Sequence, residues 1–585
     1  MVKYHEFVPT PHPFIMSSEP AVRPPRSTFW NLVVLSEIIF VVKALISLTR
    51  KIPSVLPDEV CVIQRALHFS QTLRIDTCEA ISGLPGGDPL PFYSIVVSPV
   101  YRFFHGLTAF HVALIVNAFL VATLVFPLYG ILKRFVANTK ALFVSIIIIL
   151  FSAQIVIFDS TMMTETVFIV LNVWFTYFYL KSFEEHRWRN KLVAVLIAIA
   201  AALARPFGFI VLISMMVNEA IQMKGKERKI LLPALGLVAI IFTAITLIFF
   251  NSNMLAKLWG YTAFLAHIDG WKNIALALVE QVNSFSLATF LIPLIVFFSY
   301  IGEKDSKLLN AIRWYLLAYI TLNFLISAQH IYGYLVVDSD PGLLTRYINS
   351  ALIYIYIFSF AFFLRYDRFE FTKKTTFISA LFIILLLFLP TGFKHSLSPD
   401  LSIYGNIRVH LFGKDVTPVN DLLKYYFLPA SFLLFLLLAR GKKMLLSGVF
   451  VVLMVINGLY LVVTLVPQGY VPSYLSFFVD KKEDIAVIAT HEQTQSTVQY
   501  YDAIWEIIAA SENKVHPIVV DFDNLDYEKR TIPLRSLEHS EFYKNSKYIL
   551  SQYELDLPMV FGWDDIYLYA NPKAFPEGTF VKNNS

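Results

Sequence analysis

Two carboxylates stand side by side at Asp58 and Glu59, directly after Pro57 and just beyond an apolar run at Trp30–Thr49. Proline followed by an acid is a helix-start pattern, and Asp58–Gln71 reads as an amphipathic helix lying along a membrane surface. A carboxylate held there can take a proton from a hydroxyl. It can also serve only as a cap and a partner for the helix dipole. Other polar residues stand at the ends of apolar runs. Asp88 lies in Gly86-Gly87-Asp88-Pro89-Leu90-Pro91, Asp159 and Glu165 flank Ser160–Thr164, and Arg205 and Arg346 stand at the ends of two further runs. Charges at a membrane boundary are costly, so their placement carries information. The bland alternative is that Glu165 caps a helix and the arginines extend to the interface.

The chain has two cysteines, Cys61 and Cys78, and both fall within the segment 50–107. On an oxidising face they can form a bridge. It would close a loop of about 17 residues, worth about 3 kcal/mol in the chain-entropy picture. Two unpaired thiols are the alternative.

The elements that must position these residues are membrane spans. Hydrophobic residues make up 56% of the 585-residue chain, charged residues 16%, and the mean hydropathy is +0.60. A soluble domain carries about 25% charge, so an ordinary cytosolic enzyme is excluded. Disorder, collagen and coiled coil fail on the same figures. The net charge of +5 is too small to indicate nucleic acid.

Apolar runs lie at about 30–49, 108–132, 141–158, 164–180, 192–204, 206–223, 230–250, 285–301, 312–329, 347–364, 375–390, 424–439 and 444–466. Most approach the ~20 residues a spanning helix needs. The expected fold is an α-helical polytopic membrane protein of about 13 transmembrane helices, with a small C-terminal extracytoplasmic α/β domain. Basic clusters near 133–140, 187–191, 224–229, 304–313, 365–374 and 440–443 all fall on the cytoplasmic side if the N-terminus is cytoplasmic and the span count is odd. Arg50 and Lys51 are the main exception. The domains are then a cytoplasmic tail at 1–29, a transmembrane module at 30–466 with an outer loop at 50–107, and the outer domain at 467–585. In that last part, strand-like runs at Ile485–Ala489, Pro517–Val520, Ile549–Leu550 and Ile566–Tyr569 accompany a helical stretch at Val498–Ala510.

No P-loop, dinucleotide fingerprint, zinc spacing or Gly-x-Ser-x-Gly elbow occurs. Chemistry driven by a soluble nucleotide is thereby disfavoured.

The order of the polar motifs resembles a known family. Asp58-Glu59 leads into Val60-Cys61-Val62-Ile63-Gln64-Arg65-Ala66, followed by Asp88-Pro89-Leu90-Pro91-Phe92-Tyr93 and the Asn117-containing span. Met162-Met163-Thr164-Glu165-Thr166, Ala204-Arg205-Pro206 and Thr345-Arg346-Tyr347 complete the set. The pattern is similar to the GT-C superfamily of multipass glycosyltransferases. Within it, the match is to the prokaryotic branch related to protein O-mannosyltransferases and the lipid A aminoarabinose transferase. The resemblance covers roughly residues 30–365.

What the resemblance implies is an inverting transfer from a polyprenyl-phosphate-linked sugar donor to an acceptor hydroxyl on a glycan, lipid or protein. The reaction would take place on the outer face of a prokaryotic plasma membrane, with no nucleic acid involved. It makes Asp58 the general base, with Glu59 orienting the site or joining Asp58 around a divalent cation, Mg or Mn. Arg205 and Arg346 become candidates for the donor phosphate, since a guanidinium fork matches phosphate oxygens. Asp88, Asp159 and Glu165 become candidates for substrate binding. The competing readings are a multipass transporter or lipid flippase, which would show paired repeats and interrupted helices at mid-membrane, and a polysaccharide polymerase, which would rest on a large late outer loop.

Overall fold

The computed structural model describes residues 26–50, 57–76, 91–185, 187–205, 207–222, 292–302, 307–336, 349–365 and 373–387. It also describes scattered positions at 275–278 and 448–462, the segments 485–490, 515–520 and 531–532, residue 537, and most of 540–574.

The apolar runs become helices. These are α1 (Arg26–Leu48), α2 (Pro57–Thr72), α3 (Phe92–Phe103), α4 (Gly106–Ala122), α5 (Val125–Leu132), α6 (Thr139–Leu150), α7 (Ala153–Asp159), α8 (Thr164–Ser182), α9 (Arg187–Ala204) and α10 (Gly208–Gln222). After them come α11 (Ile292–Tyr300), α12 (Lys307–Val336), α13 (Asn349–Arg365) and α14 (Lys373–Leu387). Among the described residues, three helical stretches are long and apolar enough to cross a membrane: Ser27–Leu48, Gly106–Leu132 and Leu308–Ala328. A fourth is added if α6 and α7, bent by 53° at their junction, form one broken span. The chain is an α-helical membrane protein, consistent with side chains such as Val34, Ile38, Val41 and Leu45 standing exposed along α1. The expected runs at 230–250 and 424–439 lie outside the described residues.

Local chemistry sets the helix ends. The Asn138 side chain accepts the Ala141 N–H at 3.2 Å and starts α6. Glu165 occupies the first turn of α8, where a carboxylate suits the helix dipole. The apolar runs 192–204 and 206–223 become two separate helices, α9 and α10, packed closely against each other. A Cβ at Gly208 would fall 2.2 Å from the Ala201 carbonyl oxygen, so only glycine allows this approach.

Helix α3 departs from expectation. Residues 50–107 read as irregular apart from the α2 helix, yet 92–103 is helical. Tyr93, Val97 and Tyr101 recur every four residues and are buried together, which is the spacing of one helical face.

Near the C-terminus the strands are β1 (Ile485–Thr490), β2 (Val515–Val520), β3 (Thr531–Ile532), β4 (Tyr548–Ser551), β5 (Glu554–Leu555), β6 (Met559–Trp563) and β7 (Ile566–Ala570). A five-stranded sheet has the order β2-β1-β4-β7-β6. β1 lies parallel to β2 and β4, and β7 is antiparallel to β4 and β6. β1, β2, β4 and β7 fall on the four strand-like runs of the sequence, whereas β6, with Gly562 and a register shift between Met559 and Phe561, was not foreseen. The expected helix at Val498–Ala510 lies outside the described residues.

Residues alternate between the two faces of this sheet. Ala486, Ile488, Ile549 and Tyr569 join a cluster with Leu537 and Tyr543. Val487, Tyr548, Leu550, Leu568 and Ala570 instead share a buried cluster with Val62, Ile63 and Ala66 of α2 and Tyr93 and Val97 of α3. The sheet is therefore seated over the helix pair that follows α1.

Candidate active site

The polar residues singled out by sequence gather around one turn, Asp159-Ser160-Thr161-Met162-Met163, between α7 and α8. Each of its first four residues is held from a different part of the chain. Lys43, in the last turns of α1, forms a buried ion pair with Asp159. Arg50 donates from Nη1 to the Ser160 carbonyl. Asn117 of α4 donates to the Thr161 carbonyl at 2.9 Å. The Met162 N–H donates to Glu59 Oε1 at 2.6 Å.

Glu59, in the first turn of α2, is fully buried. Its second oxygen accepts from Arg50 Nη2 at 2.8 Å. Arg50 thus joins α2 to the turn, and its own carbonyl receives His111 Nε2–H at 2.8 Å. From α3, the Tyr93 hydroxyl donates to Asn117 Oδ1 at 2.6 Å and lies 3.4 Å from Met162 Sδ. Burial pushes the Tyr93 phenol well above its ordinary range, which keeps it a neutral donor. One turn into α8, Glu165 Oε1 lies 2.8 Å from Arg205 Nη1. The Arg205 guanidinium also stands over the Phe207 ring at 5.3 Å.

Glu59, Asp159, Glu165 and Arg205 are therefore brought to one region, and all four sit in ion pairs that join separate segments of the chain. Position 58 lies in the same first helical turn as Glu59, while the Asp58 side chain, Asp88, Arg346 and Cys78 lie outside the described residues. Cys61 is disulfide-bonded, and Cys78 is the only other cysteine in the chain.

Sequence reasoning missed Lys43 and saw Arg50 only as an exception to the charge rule. Lys43 had a signal of its own, a lysine within an apolar run. Arg50 had none, because its partners lie 9 and 110 residues away.

Among the described residues no three His, Cys, Asp or Glu side chains assemble as a metal site. Glu59 fits the part of a metal ligand poorly, since a guanidinium and a backbone N–H already engage its two oxygens.

No protein-family model and no curated protein matches the chain. Solved structures do. The apo crystal structure of ArnT from Cupriavidus metallidurans superposes with a TM-score of 0.50 at 13% identity, covering 94% of this chain and all of that one. The chain has an ArnT-like fold. The same ArnT bound to undecaprenyl phosphate gives a TM-score of 0.49 at 14% identity with the same coverage. At this identity the likeness is one of fold.

Proposed function

We propose that this chain is a membrane glycosyltransferase of the GT-C type, moving a sugar from a polyprenyl-phosphate donor to an acceptor hydroxyl with inversion. The observation that carries the reading is the convergence on one turn of an ArnT-like fold. The acid-bearing start of α2 and the Glu165–Arg205 pair meet there, although they come from segments about 100 to 150 residues apart. The motif resemblance supplies the substrate class.

In this reading Asp58 is the base. The acceptor oxygen bonds to the anomeric carbon as that carbon's bond to the phosphate oxygen breaks. The hydroxyl proton passes to Asp58, and the bonding electrons leave on the polyprenyl phosphate. The phosphate is already a competent leaving group, so the chain need only stabilise the departing charge, and Arg205 and Arg346 are assigned to it. Glu165 holds Arg205 in place, Asp88 is assigned to the acceptor side, and Glu59 orients α2.

The topology completes the proposal: about 13 spans, a cytoplasmic N-terminus, and the 467–585 region outside as an α/β domain. The cluster shared by the C-terminal sheet and the α2–α3 pair supports it. Segments packed together lie on one side of the membrane, which an odd number of spans requires when the N-terminus is on the other. A lipid-linked donor presents its sugar at headgroup depth, where an interfacial helix such as α2 places its first turn.

The test is to incubate purified protein in lipid nanodiscs with sugar-loaded polyprenyl phosphates. Release of free polyprenyl phosphate dependent on the protein and on an acceptor is expected. Donor that stays intact across a panel of sugars and acceptors, or that is moved across the bilayer uncleaved, would overturn the reading in favour of a flippase.

A further inference from the structure

The turn at 159–163 is held more heavily than a connection between two helices requires. Four consecutive residues are each engaged by a separate side chain, from α1, from Arg50 just beyond it, from α4 and from α2. A fifth contact comes from Tyr93 of α3, which touches both Asn117 and Met162. Two of the contributors, Lys43 and Arg50, are buried cations.

Stability alone is a weak reason for this arrangement. A buried ion pair pays for desolvation, and well-packed apolar residues in its place are often as stable or more so. Its distinctive property is directional: bonds of fixed geometry from several elements allow one arrangement. Here that arrangement includes the rotation of α2 about its axis. Adjacent helical residues point about 100° apart, so a carboxylate at 59 clamped at both oxygens also sets the direction in which backbone position 58 faces.

We propose that Arg50 and Glu59 are positioning residues, locking the first turn of α2 onto the Ser160–Met162 backbone so that position 58 is held at the reacting centre. The assignment rests on the glycosyltransferase reading for its catalytic consequence, while the lock itself is independent of it. Arg50 is the central piece, because it reaches the turn and Glu59 at the same time. Glu59 contributes its charge to Arg50 and an acceptor to Met162. Glu59→Gln removes the first and keeps an oxygen for the second, and Glu59→Ala removes both.

The experiment uses full-length protein in nanodiscs, comparing wild type with Glu59→Gln, Glu59→Ala, Arg50→Lys and the milder Tyr93→Phe. Transfer rates are measured against pH and donor concentration. Hydrogen exchange is followed over 57–72 and 159–166. Misplacing a reacting group by about 1 Å costs on the order of 100-fold. Glu59→Ala is expected to lose about that much in kcat, and Glu59→Gln less. Donor KM should stay within about twofold and the acid limb of the pH profile should be retained, because the base is another residue. Exchange at the Met162 amide should speed up in Glu59→Ala and much less in Glu59→Gln.

Loss of the acid limb in Glu59→Gln would overturn the assignment by making Glu59 the base. A raised KM with kcat unchanged would overturn it by making the pair a substrate contact. Faster exchange with kcat unaltered would reduce the lock to a structural brace and also overturn it. Unchanged exchange in every variant, including the well-folded Tyr93→Phe, would remove the lock itself. Wild-type protein that transfers no sugar would sink the function instead, and the exchange data would still decide the lock.

Discussion

The two ends of α8 are tied down by different chemistry. At its start, Glu165 meets Arg205, and the preceding turn is gripped by Lys43 and Arg50. Along its second half the partners are mostly neutral. Thr176 donates to the Tyr354 hydroxyl at 2.8 Å, and Tyr354 in turn donates to the Asn172 carbonyl at 3.0 Å and lies 2.9 Å from the Tyr315 hydroxyl. Tyr179 accepts from Asn218 at 2.7 Å and donates to Glu219 at 3.0 Å, and Glu219 is paired with Lys191. Rings stack across the same helices, with Phe175 and Tyr179 centroids 5.4 Å apart and Tyr319 and Tyr354 4.8 Å apart. Hydroxyls and amides join helices at modest cost, about 0.6 to 2 kcal/mol per bond in a bilayer. Paired charges cost more to bury and specify geometry more tightly. The neutral end serves as glue, and the charged end holds the site.

The largest expected effect comes from breaking the charged end on one side only. Asp159→Ala leaves Lys43 buried without its partner, which should destabilise the protein by about 3–5 kcal/mol in thermal unfolding. The double variant Lys43→Met/Asp159→Leu should recover most of that stability while transfer stays depressed. Recovery of both together would mean that this pair only braces the fold.

Next in size is Arg205→Lys, which keeps the charge and loses the two-pronged fork. Donor use should weaken about tenfold, or about 1.4 kcal/mol, with folding intact. Unchanged donor affinity in Arg205→Lys and in Arg346→Lys would make both arginines structural. At the neutral end, Tyr354→Phe should cost about 1 kcal/mol of stability and leave the per-molecule transfer rate as in wild type. A large loss of kcat there would erase the distinction between the two ends.

The smallest effect lies at the end of α2. Leu73 takes φ 57° with its side chain 76% exposed, so the strain is not repaid by packing. Leu73→Gly should raise stability by about 1 kcal/mol, readable as a small upward shift in Tm with transfer unaffected.

Much of the scaffold was legible because apolar length and period report helices directly. α1, α8 and α9 sit where the hydropathy places them, and the strands at 485 and 566 follow their β-rich runs. Glu59, Glu165 and Arg205 stand near the ends of apolar runs in the sequence, and the structure gathers them around one turn. What the sequence did not show is who pairs with whom. Lys43 and Asp159 are 116 residues apart, and no local pattern links them. Helix α3 was hidden by Pro99 and by Ser94 and Ser98 in a short segment, and its period emerges only against α2. By charge pattern alone Arg50 is an exception to the positive-inside rule. Its burial between Glu59 and Ser160 makes it part of the site instead.

The most direct test is Asp58→Asn. Asparagine keeps the size of the side chain and an oxygen able to cap a helix, so a capping role survives, whereas an amide cannot accept the acceptor's proton. With full-length protein in nanodiscs, donor binding and transfer are measured on the same sample. The account predicts normal insertion, normal binding of the polyprenyl-phosphate sugar, and a transfer rate lower by about 100- to 10,000-fold. Near-normal transfer by well-folded Asp58→Asn would contradict it and move the base to another carboxylate, Asp88 first.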